Sequence, residues 1–205
     1  MTSMTISELY DKLKTLEFKT VDNSLFYNYY IYMYDAEKEY EMRSQLKDFK
    51  KNLARPTSYV DVIMLDLFET FCEFLDSQPF GKKYPSRLQY ILEKDQDEAQ
   101  AASITTMLYN NAHRREFLDF VHEKIEKLSQ ENTKLEHPYV FIYGVGKMYP
   151  YLRTNEFLTA YEEFNDPTKN KIILFYPGHY EDNSFVLFDA LHDQHSYRSI
   201  LLVNE

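Results

Sequence analysis

PYVFIYGVGKMYPYLRTNEFLTAYEEFNDPTKNKIILFYPG, Pro138 to Gly178, is the stretch whose reading decides the fold. Tyr139 to Tyr143 is a short apolar run rich in aromatic and β-branched residues, the pattern of a strand buried on both faces. Gly144 and Gly146 break it. Phe157, Tyr161 and Phe164 then recur at helical spacing, and Asn165-Asp166-Pro167 stops that helix. Ile172 to Tyr176 is a second buried run, closed by a Pro177-Gly178 turn. Strand, helix and strand in this order make a βαβ unit, a parallel pair with a right-handed crossover.

The glycine turn lies where a phosphate-binding loop would lie, between a strand and a helix. Such a loop needs a glycine five positions before its second glycine, and a Ser or Thr after the lysine to hold magnesium. Around Gly146-Lys147 those positions are Phe141 and Met148. The dinucleotide fingerprint also fails, because its third glycine would fall at Tyr149. The better reading is a tight turn of small residues, with Gly144, Gly146, Pro150, Pro177 and Gly178 as structural turn positions.

Outward from this unit the chain keeps alternating. Thr5 to Glu8 fits a capping box, and Ile6, Leu9, Leu13 and Leu16 follow at helical intervals. Asn28 to Tyr34 is a first strand. Asp35 can cap the next helix, whose stripe is Met42, Leu46, Phe49 and Leu53. Tyr59 to Leu65 is a second strand, and Asp66 to Glu69 a second capping pattern that opens a short apolar helix. From Ser86 to about Glu136 no strand signal appears. Leu88, Ile91 and Leu92 mark one helix, Ile104, Met107 and Leu108 another, and Phe117, Val121, Ile125 and Leu128 a third, with Asn110-Asn111 as a break between the last two. Beyond the central unit, Phe185 to Phe188 and Ile200 to Val203 are joined too closely for a helical crossover, so an antiparallel pair at one sheet edge is expected.

The expectation is therefore one α/β domain over residues 1–205. It has a mostly parallel sheet flanked by helices in a Rossmann-like three-layer arrangement. A helical insert spans 86–136 between the second and third strands, and the C-terminal edge is antiparallel. A chain of 205 residues is long enough to bury roughly 70% of its unfolded surface. Aromatics are abundant, 19 Tyr and 15 Phe with no Trp, and tyrosine's apolar body and polar tip suit partly buried surfaces and interfaces. With 23 basic against 33 acidic residues the formal net charge is −10. Repulsion from phosphates then disfavours nonspecific DNA binding. Cys72 is the only cysteine, so no intrachain disulfide forms, and its apolar neighbours read it as a small buried hydrophobe. No apolar stretch reaches the roughly 20 residues of a membrane span. The N-terminal residues lack a signal-peptide pattern, and a cytoplasmic location is the expectation.

Few residues carry chemistry. Asp35 and Asp66 end successive strands, and ligands in open α/β sheets bind beyond the carboxyl ends of strands. The pair could hold a metal for a phosphohydrolase or nuclease, or both could be helix N-caps. His179, Glu181, Asp182, His192, Asp193 and His195 crowd one span without the spacing of a zinc or manganese site. No GxSxG elbow occurs. Arg153 opens the helix after the third strand, where it could take an anion or a partner carboxylate, and Arg198 follows Tyr197 before the last strand; the alternative is a surface arginine with a modest ion pair.

GVGKMYPYLRTNEFL, KIILFYPGHYEDNSFVLFDAL and SYRSILLV together resemble the C-terminal half of BrxB proteins of BREX (bacteriophage exclusion) phage-defence systems. The matching positions are Gly144, Gly146, Pro150, Arg153, Phe175, Tyr176, Pro177, Gly178, Tyr180, Tyr197 and Arg198. IYMYDAEKEYEMRSQLKDFKKNL and YVDVIMLDLFETFCEFL extend the likeness toward the N terminus. One departure is Tyr34-Asp35-Ala36, where the family carries Asp-Tyr-Pro. The resemblance implies a non-enzymatic assembly subunit without cofactor, working beside a PglZ phosphatase-like protein, a BrxC ATPase and a PglX methyltransferase. Its partner-binding residues would be Arg153, Arg198, Tyr149, Tyr180 and Tyr197, with DNA contacted only through the complex and no membrane involved.

Overall fold

A computed structural model describes residues 2–14, 29–53, 62–132, 138–164, 166, 169–182, 184–192, 199–201 and 203–204. The strands are β1 (Thr2–Ser3), β2 (Tyr29–Tyr34), β3 (Val62–Asp66), β4 (Tyr139–Tyr143), β5 (Lys171–Glu181), β6 (Ser184–Leu187), β7 (Leu191–His192), β8 (Ser199–Leu201) and β9 (Val203–Asn204). The helices are α1 (Ile6–Lys14), α2 (Glu39–Leu53), α3 (Leu67–Asp76), α4 (Arg87–Lys94), α5 (Ala101–Ala112), α6 (Arg115–Asn132) and α7 (Thr154–Tyr161).

Five strands run parallel in the order β3-β4-β5-β2-β8. The βαβ unit read from the sequence is present as β4, α7 and β5, with Val140 opposite Ile172 and Ile142 opposite Leu174. Side chains alternate along each strand, so one set of residues faces each side of the sheet. Tyr29, Ile31, Val140, Ile142, Ile172 and Leu174 join the core built with α3 through α7. Tyr30, Tyr32, Phe141, Ile173 and Phe175 face Leu9 and Leu13 of α1 and Met42, Leu46 and Phe49 of α2. Helices therefore cover both faces, which explains why the strands read as continuous apolar runs. Much of the tyrosine surplus lies in this core: all six residues of β2 are buried, and the Tyr29 hydroxyl donates to the Leu158 carbonyl at 3.1 Å.

The capping box at Thr5 forms, with the Thr5 N–H donating to Glu8 at 2.7 Å and the Glu8 N–H to Thr5 Oγ1 at 3.3 Å. The expected helical stretch holds α4, α5 and α6, and Ile91, Ile104, Phe117 and Val121 pack into the same core as the sheet. Leu92 does not; it is exposed.

The structure corrects three expectations. The break expected at Asn110-Asn111 falls two residues later: α5 continues to Ala112, with the Asn111 amide donating to the Met107 carbonyl at 2.7 Å, and His113-Arg114 separates it from α6. Pro177-Gly178 does not close a strand. β5 runs 11 residues through it and changes partner there, pairing with β2 as far as Pro177 and antiparallel with β6 from Gly178. The missing N–H of Pro177 is tolerated at this changeover, where its carbonyl instead accepts from the Phe188 N–H at 2.9 Å. Finally, the two last apolar runs do not pair with each other. β6 joins β5 and β7, whereas β8 adds to the sheet parallel to β2. Asn28, Leu16 and residues 59–61 lie outside the described residues.

Candidate functional site

Parallel strands deliver their ends to one edge of the sheet, and there β3 stops on Asp66. The strand turns into α3 because the Asp66 carboxylate caps that helix: Oδ1 accepts the N–H groups of Phe68 and Glu69, each at 3.1 Å. Its other oxygen, Oδ2, accepts from Arg43 Nη2 at 2.6 Å and Lys147 Nζ at 3.0 Å. Arg43 arrives on α2, and Lys147 on the 3-10 turn Val145–Met148 that follows β4. The Arg43 guanidinium also pairs with Glu69 at 3.0 Å and lies 5.9 Å from the Tyr143 ring centroid. The Asp66 side chain is 2% exposed, against 32% for Arg43 and 29% for Lys147. Both oxygens of a buried carboxylate are thus fully occupied by donors.

This arrangement accounts for the Gly-x-Gly-Lys signature. Gly144 has φ +73°, and a Cβ there would lie 2.4 Å from Asp66 Oδ1. A Cβ at Gly146 would meet the Phe188 ring at 2.6 Å and Pro177 Cγ at 3.0 Å. One glycine admits a carboxylate, the other an aromatic ring, and the lysine is the carboxylate's counter-ion. No part of the turn is committed to a phosphate.

Local electrostatics follow from burial. The Tyr34 hydroxyl donates to the Glu39 carboxylate; burial first, and that hydrogen bond second, push its phenol well above the usual tyrosine range. Burial also raises Tyr143, with the charges of Asp66 and Glu69 adding and Arg43 opposing. Cys72 on α3 is half-buried rather than buried, and burial raises its thiol too.

Asp35 is not brought to this cluster. It follows β2, three strand spacings from β3, or roughly 14 Å. Its carboxylate pairs with Lys38 at 2.6 Å in solvent and makes no capping bond. A cation with bonds of about 2.3–2.6 Å spans carboxylate oxygens no more than about 5 Å apart, so one ion cannot bridge Asp35 and Asp66. Among the described residues no group of three or more His, Cys, Asp or Glu is placed to hold a metal. His179 instead meets Asp189 at 2.5 Å and Glu181 at 3.5 Å, and the Asp189 hydrogen bond foremost raises its imidazole. His192 is exposed, and Asp193 and His195 lie outside the described residues.

Arg153 is the N-cap residue of α7 rather than part of its first turn. Its N–H donates to the Glu156 carboxylate at 2.9 Å, and its guanidinium reaches the His192 carbonyl of β7 at 3.4 Å. Tyr149 and Tyr180 are half-buried against the core, with Tyr180 edge-on to Phe185 at 4.8 Å between centroids. Pro150 is exposed beside Tyr149. Tyr197 and Arg198 lie outside the described residues.

Two residues that sequence reasoning passed over complete the picture. Arg43 flanks the Met42–Leu46–Phe49 stripe of α2, a position that runs along the sheet edge, and this was its only signal. Phe188 is 40% exposed, lies over Gly146, and has φ +55°, followed by Asp189 at +57°. Positive φ at both residues suits the right-handed twist of a tight hairpin, although a bulky aromatic is rare there. Nothing in an apolar run of sequence announces it.

The family model described as BREX protein BrxB matches residues 63–202. A curated protein of Bacillus cereus (strain H3081.97), named BREX protein BrxB, is 26% identical over 182 residues, covering 86% of this chain and 84% of that protein. No solved structure matches the chain.

Proposed function

Because the chain belongs to the BrxB family of BREX phage-defence proteins, we propose that it is a non-enzymatic assembly subunit that bridges partner proteins of the defence complex. The observation that carries this reading is the saturation of Asp66. The one carboxylate buried at the sheet's carboxyl edge among the described residues has two backbone donors and two cations on it, so coordinating a metal or activating water would require expelling Arg43 and Lys147. Partners are the PglZ phosphatase-like protein, the BrxC ATPase and the PglX methyltransferase, and the complex works in the cytoplasm, meeting DNA only through them. Among the described residues no helix is long and apolar enough to cross a membrane. The docking face combines Arg153, Tyr149 and Tyr180 with the exposed ring of Phe188; Tyr197 and Arg198 are assigned to it by the resemblance.

Co-expression with the PglZ-like and BrxC-like proteins, followed by size-exclusion chromatography, tests the reading. Co-elution is expected, together with no hydrolysis of phosphodiesters or ATP by the purified chain in Mg²⁺, Mn²⁺ or Zn²⁺. Turnover that vanishes in Asp66→Asn, with the fold intact by circular dichroism, would transfer the assignment to a hydrolase.

A further inference from the structure

Away from the sheet edge, α4 and α5 border an open cleft of about 630 Å³ lined in part by Phe80, Arg87, Ser103, Thr106, Asn111 and Arg114. That volume falls within the roughly 300–1,000 Å³ of small-molecule sites. None of the residues lining it is acidic.

Arg87 is the first residue of α4. Its guanidinium donates to the Asn111 side-chain oxygen and lies 5.9 Å from the Phe80 ring centroid. Asn111 is 5% exposed, and its amide nitrogen is tied to the Met107 carbonyl at 2.7 Å, so its oxygen is turned toward the arginine. Among the described residues no carboxylate pairs with Arg87. Arg114, at the join of α5 and α6, holds Glu116 through Nε at 3.2 Å and Nη2 at 2.5 Å; Glu116 is 56% exposed and is not part of the cleft wall, so the pair is open to exchange with solvent ions. Burial first, and the charge of Arg114 second, hold the Arg87 guanidinium below its usual range. Two like charges border one concavity in a chain of net charge −10; that of Arg114 is balanced by Glu116, whereas that of Arg87 is met by a neutral amide oxygen. Ser103 and Thr106, one helical turn apart on α5, add hydroxyls on the same face. The Thr106 hydroxyl is spent on the Ala102 carbonyl at 2.9 Å and can only accept a further bond.

We propose that this cleft binds the phosphoryl group of a small phosphate monoester, with Arg87 and Arg114 as its two guanidinium forks and Phe80 as an apolar wall for the ligand's body. Planar forks suit the tetrahedral oxygens of a phosphoryl group, and its second negative charge lets it compete with the exposed Glu116 for Arg114 while also meeting Arg87. A nucleic-acid backbone is the poorer occupant, because its many phosphates would lie against an acidic protein.

Calorimetric titration of the full chain with inorganic phosphate, adenosine monophosphate, unphosphorylated adenosine and a single-stranded oligonucleotide tests the assignment. Saturable one-to-one binding of phosphate and the monophosphate, without adenosine, is expected. Arg114→Gln should weaken both by roughly tenfold or more, the loss of one charge-assisted hydrogen bond, while leaving the melting temperature unchanged. Arg87→Gln should weaken them similarly. If that variant is destabilised by losing its Asn111 contact, Arg114→Gln alone decides. The proposal is overturned by undiminished binding in both variants, by adenosine binding as well as its monophosphate, by binding of the oligonucleotide alone, or by no saturation at millimolar phosphate.

Discussion

Replacing Arg43 and Lys147 singly and together by Met, which keeps the aliphatic packing of both stems, probes how Asp66 is held. Either single variant leaves the carboxylate with one cation and two backbone donors, so each should cost about 1–2 kcal/mol, the range of a charge-assisted bond at a partly exposed donor. The double variant leaves a charge that is 2% exposed with no counter-ion, a change that costs about 3–5 kcal/mol. The pair should therefore be more damaging than the sum of its parts, by about 1 kcal/mol in a double-mutant cycle. For a chain of this size 1 kcal/mol shifts Tm by about 2–4 °C, so the double variant should melt roughly 10 °C or more below the parent. Adding Asp66→Asn to it should restore much of the loss, since asparagine caps a helix nearly as well as aspartate and carries no charge. Reversible urea denaturation of the four proteins and the triple variant measures this. Small, strictly additive losses with no recovery in the triple variant would refute the picture of Asp66 as a buried ion neutralised by two cations.

Three further outcomes are expected. Gly144→Ala should destabilise by more than the roughly 1–2 kcal/mol of left-handed strain alone, because its Cβ would also displace the Asp66 carboxylate; chemical denaturation checks it, and a neutral result would mean the turn can move. His179 has its pKa raised by Asp189, then Glu181, so its pairing stabilises the fold fully below the ordinary histidine value of about 6.5 and weakens as pH rises through the folded value. His179→Asn should therefore flatten a small fall in Tm between about pH 6 and 8, and a fall of unchanged size in the variant would clear His179 of responsibility. Arg153→Ala should leave Tm within a few degrees yet weaken partner capture, with Arg153→Lys rescuing poorly because an ammonium offers no fork; loss of folding would make Arg153 a structural anchor instead.

The sequence made some levels of this structure legible and hid others. Doubly buried strands write themselves as unbroken apolar runs, so β2, β3, β4 and the first half of β5 were readable, as were the caps at Thr5 and Asp66. Pro177-Gly178 misled because those residues usually mark a turn, whereas here the strand changes hydrogen-bonding partners. The direction of β8 depends on which strand lies free beside it, a tertiary fact with no local trace. At the sheet edge the ingredients Asp66, Gly144 and Lys147 were visible separately. Their convergence required Arg43, brought in by an unrelated helix, and the position of Phe188 depended on a turn geometry that ordinary propensity disfavours.

The changeover within β5 also bears on mechanics. Its 11 residues extend for roughly 36 Å from the middle of the sheet out into the hairpin with β6, without an intervening loop. The hairpin is a cantilever whose root is clamped by β2 and β4; Phe188 sits at that root, its N–H on the Pro177 carbonyl, while Glu181 and Ser184 pair near the tip. A load applied at that tip passes straight into the most deeply buried strand, with no joint to absorb it. A partner that docks on Phe188 at the root meets a surface already held in place, so little ordering entropy opposes binding. Conversely, altered packing beneath Ile173 or Phe175 would tilt the tip without touching a residue on it.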